Sequence, residues 1–79
     1  MTREFLILGK KKCHFTEKVI DAIEKKGYQF KVRWSNIDFQ NKEFKDMFGE
    51  DATYPQVYEI MKNGKKKFLG GSDTTIPKL

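Results

Sequence analysis

The sequence has one cysteine and no long hydrophobic run. Because Cys13 is alone, no disulfide can form within the chain, which disfavours a secreted disulfide scaffold. The longest apolar stretch, Phe5 to Leu8, is far too short for a signal peptide or a transmembrane helix. Repeats and low-complexity segments are also absent. These absences predict a small cytoplasmic protein with no membrane segment.

Positive charge exceeds negative charge, with 16 lysines and arginines against 11 acidic residues. Much of the excess comes from three lysine clusters, at Lys10–Lys12, Lys25–Lys26 and Lys65–Lys67. Such clusters attract nucleic acid, an acidic protein or a small anion, or they simply keep the surface solvated. No arginine-rich helix or recognised nucleic-acid motif accompanies them, so we do not expect a nucleic-acid partner.

Hydrophobic periodicity predicts one domain, residues 1–79, with the element order β-α-β-α-β-β. The first strand, helix and second strand form a βαβ unit, so these two strands should be parallel with a right-handed crossover. We therefore predict an α/β fold with a four-stranded mixed sheet flanked by helices. The predicted strands are Glu4–Leu8, Tyr28–Trp34, Gln56–Lys62 and Lys66–Leu69, and the predicted helices run from Phe15 towards Gly27 and over Lys42–Phe48.

Local signals refine these elements. In the second helix, Phe44, Met47 and Phe48 are predicted to point inward. Asn63-Gly64 predicts a type I′ hairpin turn. The remaining signals concern helix ends: Thr16 as the cap of the first helix, Gly27 and Gly49 as helix stops, and Ser72 or Asp73 as the cap of one last turn that Pro77 interrupts.

Cys13 lies between a buried strand and the start of a helix. Unpaired backbone N–H groups and the positive end of the helix dipole stabilise a thiolate at such a place. Lys10, Lys11 and Lys12 add positive charge nearby. The thiolate is the nucleophile in thiol redox chemistry, so the placement predicts a reactive thiol. The alternative is a buried structural cysteine.

Three motifs in this element order resemble the glutaredoxins, a family with the thioredoxin-like fold. They are Cys13 at the first strand–helix junction, the segment from Thr53 to Tyr58 before the third strand, and Gly70-Gly-Ser-Asp73 after the fourth. The resemblance covers nearly the whole chain. It implies a cytoplasmic, glutathione-dependent thiol-disulfide oxidoreductase that serves cell redox homeostasis and electron transport.

The resemblance also implies a glutathione site. The Tyr54–Pro55 bond should be cis, with the Tyr54 backbone pairing with glutathione; a trans proline that opens an edge strand is the alternative. The γ-glutamyl carboxylate would be held at the backbone of Ser72 and Asp73, and the Asp73 side chain would face the α-amino group.

Lys10 would meet the glycine carboxylate of glutathione. One polar residue at the start of the second helix would assist it, and the resemblance leaves Gln40, Asn41 and Lys42 open. Phe15 would wall the groove, or else belong to the core.

The motif Cys13-His14-Phe15-Thr16 departs from the family's usual Cys-Pro-Tyr-Cys, because the second thiol is absent. This implies a monothiol mechanism, in which Cys13 becomes glutathionylated and a second glutathione releases it. Thr16 could donate a hydrogen bond to the thiolate. His14 could lower its pKa or shuttle protons, or it could be exposed without a role.

Phe15 and Thr16 also resemble the Cys-Gly-Phe-Ser class of monothiol glutaredoxins. Members of that class bind a [2Fe–2S] cluster between two subunits, so the alternative function is a cluster carrier with Cys13 as a ligand. We expect a monomer, or a dimer if a cluster is bound. A redox-inert interaction domain with an acidic partner is a third possibility.

The segment from Thr74 to Leu79 is much shorter than the last helix that glutaredoxins normally carry. This truncated helix predicts a less stable domain or a partner that covers the gap.

Overall fold

The computed structural model describes residues 3–79 of the predicted domain, and a four-stranded sheet organises this part of the chain. The order across the sheet is β2-β1-β3-β4; β1 and β2 are parallel, and β3 is antiparallel to both β1 and β4. The predicted mixed α/β sheet is confirmed, and the predicted strand ends are wrong by one or two residues. The strands are β1 (Glu4–Gly9), β2 (Gln29–Trp34), β3 (Gln56–Ile60) and β4 (Lys66–Gly70).

Within residues 3–79, three helices accompany the sheet: α1 (His14–Lys25), α2 (Asn41–Phe48) and α3 (Ser72–Thr75), the last followed by a 3₁₀ turn at Ile76–Lys78. Gly27 follows α1 and Gly49 caps α2, both with positive φ, so the predicted helix stops are confirmed. None of the helices in residues 3–79 is long and apolar enough to cross a membrane.

Two predicted helix caps are wrong. Cys13, not Thr16, occupies the N-cap of α1, because Thr16 already lies in the first turn and is fully buried. Gly71, not Ser72 or Asp73, occupies the N-cap of α3, since both of those residues lie inside its first turn. The last helical turn itself is present, as predicted.

The main core lies between one face of the sheet and α1. Six core side chains are at most 4% exposed: Phe5, Ile7, Val19, Ile23, Val57 and Leu69. Ile76 and Leu79 are half-buried and pack against this cluster. The short C-terminal segment therefore covers part of the core despite its length.

Aromatic side chains connect α2 to the rest of the molecule. The Phe44 ring stacks on Tyr54 with centroids 4.0 Å apart, and Phe48 packs on Tyr58 and Phe68 at 6.3 and 5.7 Å. Phe44 and Phe48 are four residues apart and share one narrow stripe of the helix. Met47 lies outside that stripe and is 66% exposed, so the prediction that it points inward is wrong.

The β3–β4 hairpin does not have the predicted type I′ turn. That turn needs positive φ at two central residues. Gly64 has φ 83°, but Asn63 is not among the non-glycine residues with positive φ in the described chain. The Gly64 N–H donates to the Met61 carbonyl at 2.9 Å, and the Met61 N–H donates to the Lys65 carbonyl at 2.7 Å. The connection is a three-residue loop, a type I turn followed by a left-handed glycine.

Arg3 joins β3 to the C-terminal turn. Its Nε and Nη2 donate to the Glu59 carboxylate, both at 2.9 Å, and its Nη1 donates to the Lys78 carbonyl at 3.0 Å. The guanidinium also lies over the rings of Phe5 and Tyr28, 5.0 and 5.3 Å from their centroids. One side chain thus links segments that are 75 residues apart in sequence.

Candidate functional site

The sheet topology brings three chain segments to one end of the sheet. Because β3 runs antiparallel to β1, its first residue Gln56 lies opposite Leu8 near the end of β1. Val57 in turn lies opposite Gly70, the last residue of β4. The loop before Cys13, the segment before β3 and the start of α3 therefore meet at this end.

A groove of about 570 Å³ opens where these segments meet. Six predicted site residues line it, and the groove also brings in residues from α2. Its lining consists of Lys10, Cys13, Phe15, Asn41, Lys45, residues 52–54 and residues 71–74. Pro55, His14 and Thr16 do not line the groove.

The Cys13 thiol is half-buried at the N-cap of α1. Burial acts to raise its pKa. The backbone N–H and hydroxyl of Thr16, the backbone N–H of Phe15 and the charge of Lys10 outweigh burial and hold the pKa of the Cys13 thiol below its ordinary value. A lowered pKa means a larger thiolate fraction at neutral pH. Since Cys13 is only half-buried, the alternative of a buried structural cysteine does not fit its position.

Thr16 supports Cys13 from beneath the groove. Its side chain is fully buried, and its Oγ1 accepts a hydrogen bond from the Lys10 N–H at 3.3 Å. This close packing requires glycine at position 9, since a Cβ at Gly9 would lie only 2.5 Å from Thr16 Cγ2. Thr16 therefore holds the end of β1, the following loop and the thiol in one arrangement.

Tyr54 is fixed at the groove wall by its hydroxyl and its ring. The hydroxyl donates to Asn41 Oδ1 at 2.7 Å and lies 3.0 Å from Ser35 Oγ, while the ring stacks on Phe44. The Tyr54–Pro55 bond is cis, as the resemblance implied. Pro55 is buried before a central strand, so the alternative of a proline opening an edge strand is wrong.

The start of α3 forms a further part of the groove lining. Ser72 is 7% exposed, whereas Asp73 is exposed. A Cβ at Gly71 would stand 3.5 Å from the Pro55 carbonyl oxygen, so this cap packs directly against the segment before β3. Ser72 and Asp73 both line the groove.

The structure distinguishes among the three polar residues that the sequence left open at the start of α2. Asn41 lines the groove, whereas Gln40 and Lys42 do not. Lys45 also lines it, and the sequence analysis missed this residue. The available signal was helical spacing, because Lys45 lies one turn after Asn41 on the same face.

Phe15 and His14 are both exposed. The 55% exposure of Phe15 makes the core alternative wrong, and the ring lies at the groove instead. No ion pair or hydrogen bond of the described residues involves the His14 side chain.

The loop before Cys13 is anchored to β2. Lys11 Nζ lies 4.0 Å from the centroid of the Trp34 ring, a cation–π distance. The Ser35 N–H donates to the Gly9 carbonyl at 2.8 Å. These contacts position the residues that precede the thiol.

No protein-family model matches the chain, and no curated protein matches it with significant similarity. Within residues 3–79, no group of three or more His, Cys, Asp or Glu side chains is placed to hold a metal ion.

Proposed function

We propose that this chain is a monothiol, glutathione-dependent thiol-disulfide oxidoreductase, a glutaredoxin of thioredoxin-like fold. It acts as a monomer in the cytoplasm on glutathione mixed disulfides. The observation that carries the proposal is the groove, in which Cys13 with its lowered pKa lies beside Lys10, Tyr54, Ser72 and Asp73. The mixed sheet order and the cis bond before Pro55 support it further.

The reaction proceeds by two thiol–disulfide exchanges at Cys13. The Cys13 thiolate attacks the glutathione sulfur of the mixed disulfide, which forms a Cys13–glutathione disulfide and releases the substrate thiolate. A second glutathione thiolate attacks the glutathione sulfur of that disulfide. Oxidised glutathione leaves, and the Cys13 thiolate is regenerated. One cysteine is sufficient for this sequence of steps.

The charges of the groove suit an anionic tripeptide. Lys10 and Lys45 provide positive charge for the glycine carboxylate of glutathione. The Asp73 carboxylate provides the opposite charge for the α-amino group, and the backbone at Ser72 is available to the γ-glutamyl carboxylate. Thr16 stabilises the attacking and departing thiolate form of Cys13.

Steady-state turnover of a small glutathione mixed disulfide tests the proposal, with glutathione and glutathione reductase in excess. Cys13→Ser should abolish turnover, because the nucleophile is lost. Lys10→Ala should raise the KM for glutathione several-fold and leave kcat within about twofold, because it removes mainly ground-state binding. Lys25→Ala is the matched control at an exposed lysine outside the groove and should behave as wild type.

Full turnover by Cys13→Ser would contradict the proposal. If the folded wild type has no turnover, the cluster carrier becomes the better hypothesis. Anaerobic reconstitution with iron, sulfide and glutathione should then give a coloured dimer. A colourless monomer would leave the redox-inert interaction domain.

A further inference from the structure

The free edge of β4 is exposed over three consecutive residues. β4 is the last strand in the order β2-β1-β3-β4 and pairs only with β3 within residues 3–79. Lys66, Lys67 and Phe68 are all exposed. An edge strand presents unpaired backbone N–H and C=O groups, so it can accept a further strand.

Phe68 gives this edge an apolar contact point. Its ring packs on Phe48 and Tyr58, with centroids 5.7 and 5.3 Å apart, yet the residue is 51% exposed. Its two neighbours hold the ring while leaving much of it open to solvent. A side chain that is already held in place loses little conformational entropy on binding, which suits it as an anchor.

The charge at this edge has one sign. From Met61 to Ser72 the chain carries four lysines and no acidic residue. Lys66 lies opposite Ile60 and shares a face with Phe68, while Lys67 lies opposite Glu59 on the other face. The single ion pair of the described residues joins Arg3 to Glu59, so these lysines have no carboxylate partner within 4.0 Å. They are available to an acidic ligand.

We propose that the outer edge of β4 binds an extended acidic segment of a partner protein, which joins the sheet as a fifth strand. The backbone of the segment pairs with β4, its acidic residues face Lys66 and Lys67, and an apolar residue contacts Phe68. A second copy of this chain would bring like charges together at the same edge, which disfavours self-pairing.

The aromatic geometry favours a peptide over a nucleic acid. Single-stranded nucleic acids stack their bases on open aromatic faces. Here Phe48, Tyr58 and Phe68 pack against one another, and Phe48 covers one face of Phe68 at an interplanar angle of 26°. The β4 edge is also separate from the groove that Cys13 lines, because residues 66–68 do not line that groove. The proposal is therefore independent of the proposed enzymatic activity.

The test is an amide chemical-shift titration of the intact protein with a short blocked peptide, in which glutamates flank a central valine and leucine. Shifts should concentrate on β4 and around Phe48 and Tyr58, and binding should weaken with salt. The double variant Lys66→Glu/Lys67→Glu should lose about tenfold or more in affinity. Lys31→Glu/Arg33→Glu makes the same charge change at exposed positions of the opposite edge strand and should stay within about twofold of wild type.

Four results would overturn the proposal. They are no binding at millimolar peptide, equal losses in the two double variants, shifts that map to the groove, and tighter binding of an oligothymidylate or of phosphatidylserine vesicles through the same lysines. A concentration-dependent dimer that Lys66→Glu/Lys67→Glu removes would instead assign the edge to a second copy. Turnover by Cys13 bears on none of these outcomes.

Discussion

At the scale of single residues, Thr16 contributes to the lowered pKa of the Cys13 thiol through both its backbone and its side chain. Its backbone N–H and hydroxyl both lower the pKa of the thiol against the opposing effect of burial. The same hydroxyl oxygen accepts the Lys10 N–H. Thr16 therefore affects the pKa of the Cys13 thiol as well as the packing at the end of β1.

Thr16→Val should raise the pKa of the Cys13 thiol, because valine keeps the volume but removes the hydroxyl. The pH dependence of iodoacetamide alkylation, followed by mass spectrometry, measures this pKa. The midpoint should move to higher pH, and alkylation at neutral pH should slow. Thr53→Val changes an exposed hydroxyl at the groove and should leave the midpoint unmoved. An identical midpoint in Thr16→Val would show that the hydroxyl has no such effect.

At the scale of elements, Tyr54 joins three separate parts of the chain. Its hydroxyl contacts Asn41 at the start of α2 and Ser35 after β2, and its own backbone leads into β3. Its ring packs on Phe44 in α2. Tyr54 therefore helps to position α2 relative to the groove, together with the contacts of Phe48 to Tyr58 and Phe68.

Tyr54→Phe should destabilise the protein by about 1 kcal/mol, because it leaves the ring packing and removes the hydroxyl hydrogen bonds. Urea unfolding followed by circular dichroism measures the change in free energy of unfolding. Tyr58→Phe is the control, since the Tyr58 hydroxyl has no hydrogen-bond partner within residues 3–79. Equal effects in the two variants would argue against the role of the hydroxyl.

The elements that could be predicted from sequence are those whose periodicity matches their burial. α1 is such an element, since it buries Val19 and Ile23 on one stripe, whereas β1 was predicted from a continuous apolar run that is buried or half-buried from Phe5 to Leu8. The prediction for Met47 is wrong because the aromatic contacts of α2 are made by Phe44 and Phe48, which lie on a narrower stripe than the sequence suggests and leave Met47 exposed. The prediction of a type I′ turn at Asn63-Gly64 is wrong because the hydrogen bonds between Met61 and Lys65 close a three-residue loop instead.

Cys13 was predictable from its position before a helix, and most of the other candidate site residues only from the resemblance. Cys13, Lys10 and Tyr54 lie in the groove as expected. Lys45 was missed because the sequence does not show how far α2 extends along the groove. The choice of Asn41 over its neighbours depends on the direction in which α2 leaves the preceding loop, which tertiary packing determines.

At the scale of the whole molecule, Arg3 is the first described residue and links three parts of the chain. Its ion pair with Glu59 connects it to β3, and its hydrogen bond to the Lys78 carbonyl connects it to the C-terminal turn. The Arg3 guanidinium holds the pKa of the Glu59 carboxyl below its ordinary value of 4.5, mainly through its hydrogen bonds. Stabilisation by the pair is therefore fully present above about pH 4.5 and is lost as pH falls through the lower folded-state pKa.

Glu59→Gln should cost about 1 kcal/mol of stability at neutral pH, and this difference from wild type should shrink as the pH falls well below 4.5. Urea unfolding at neutral and at acidic pH measures it. Glu24→Gln, at an exposed position of α1, should cost little at either pH. A difference that grows on acidification would contradict the assignment.

Trp34, which contacts Lys11, gives the protein an intrinsic fluorescence signal close to the loop before Cys13. Trp34 is the only tryptophan, so all indole fluorescence comes from one ring that lies 4.0 Å from the Lys11 ammonium. Lys11 precedes the thiol by two residues in the same loop. Any displacement of that loop when Cys13 is alkylated or forms a disulfide changes the surroundings of this ring. Indole emission of the unlabelled protein is therefore the measurement that would detect such a displacement.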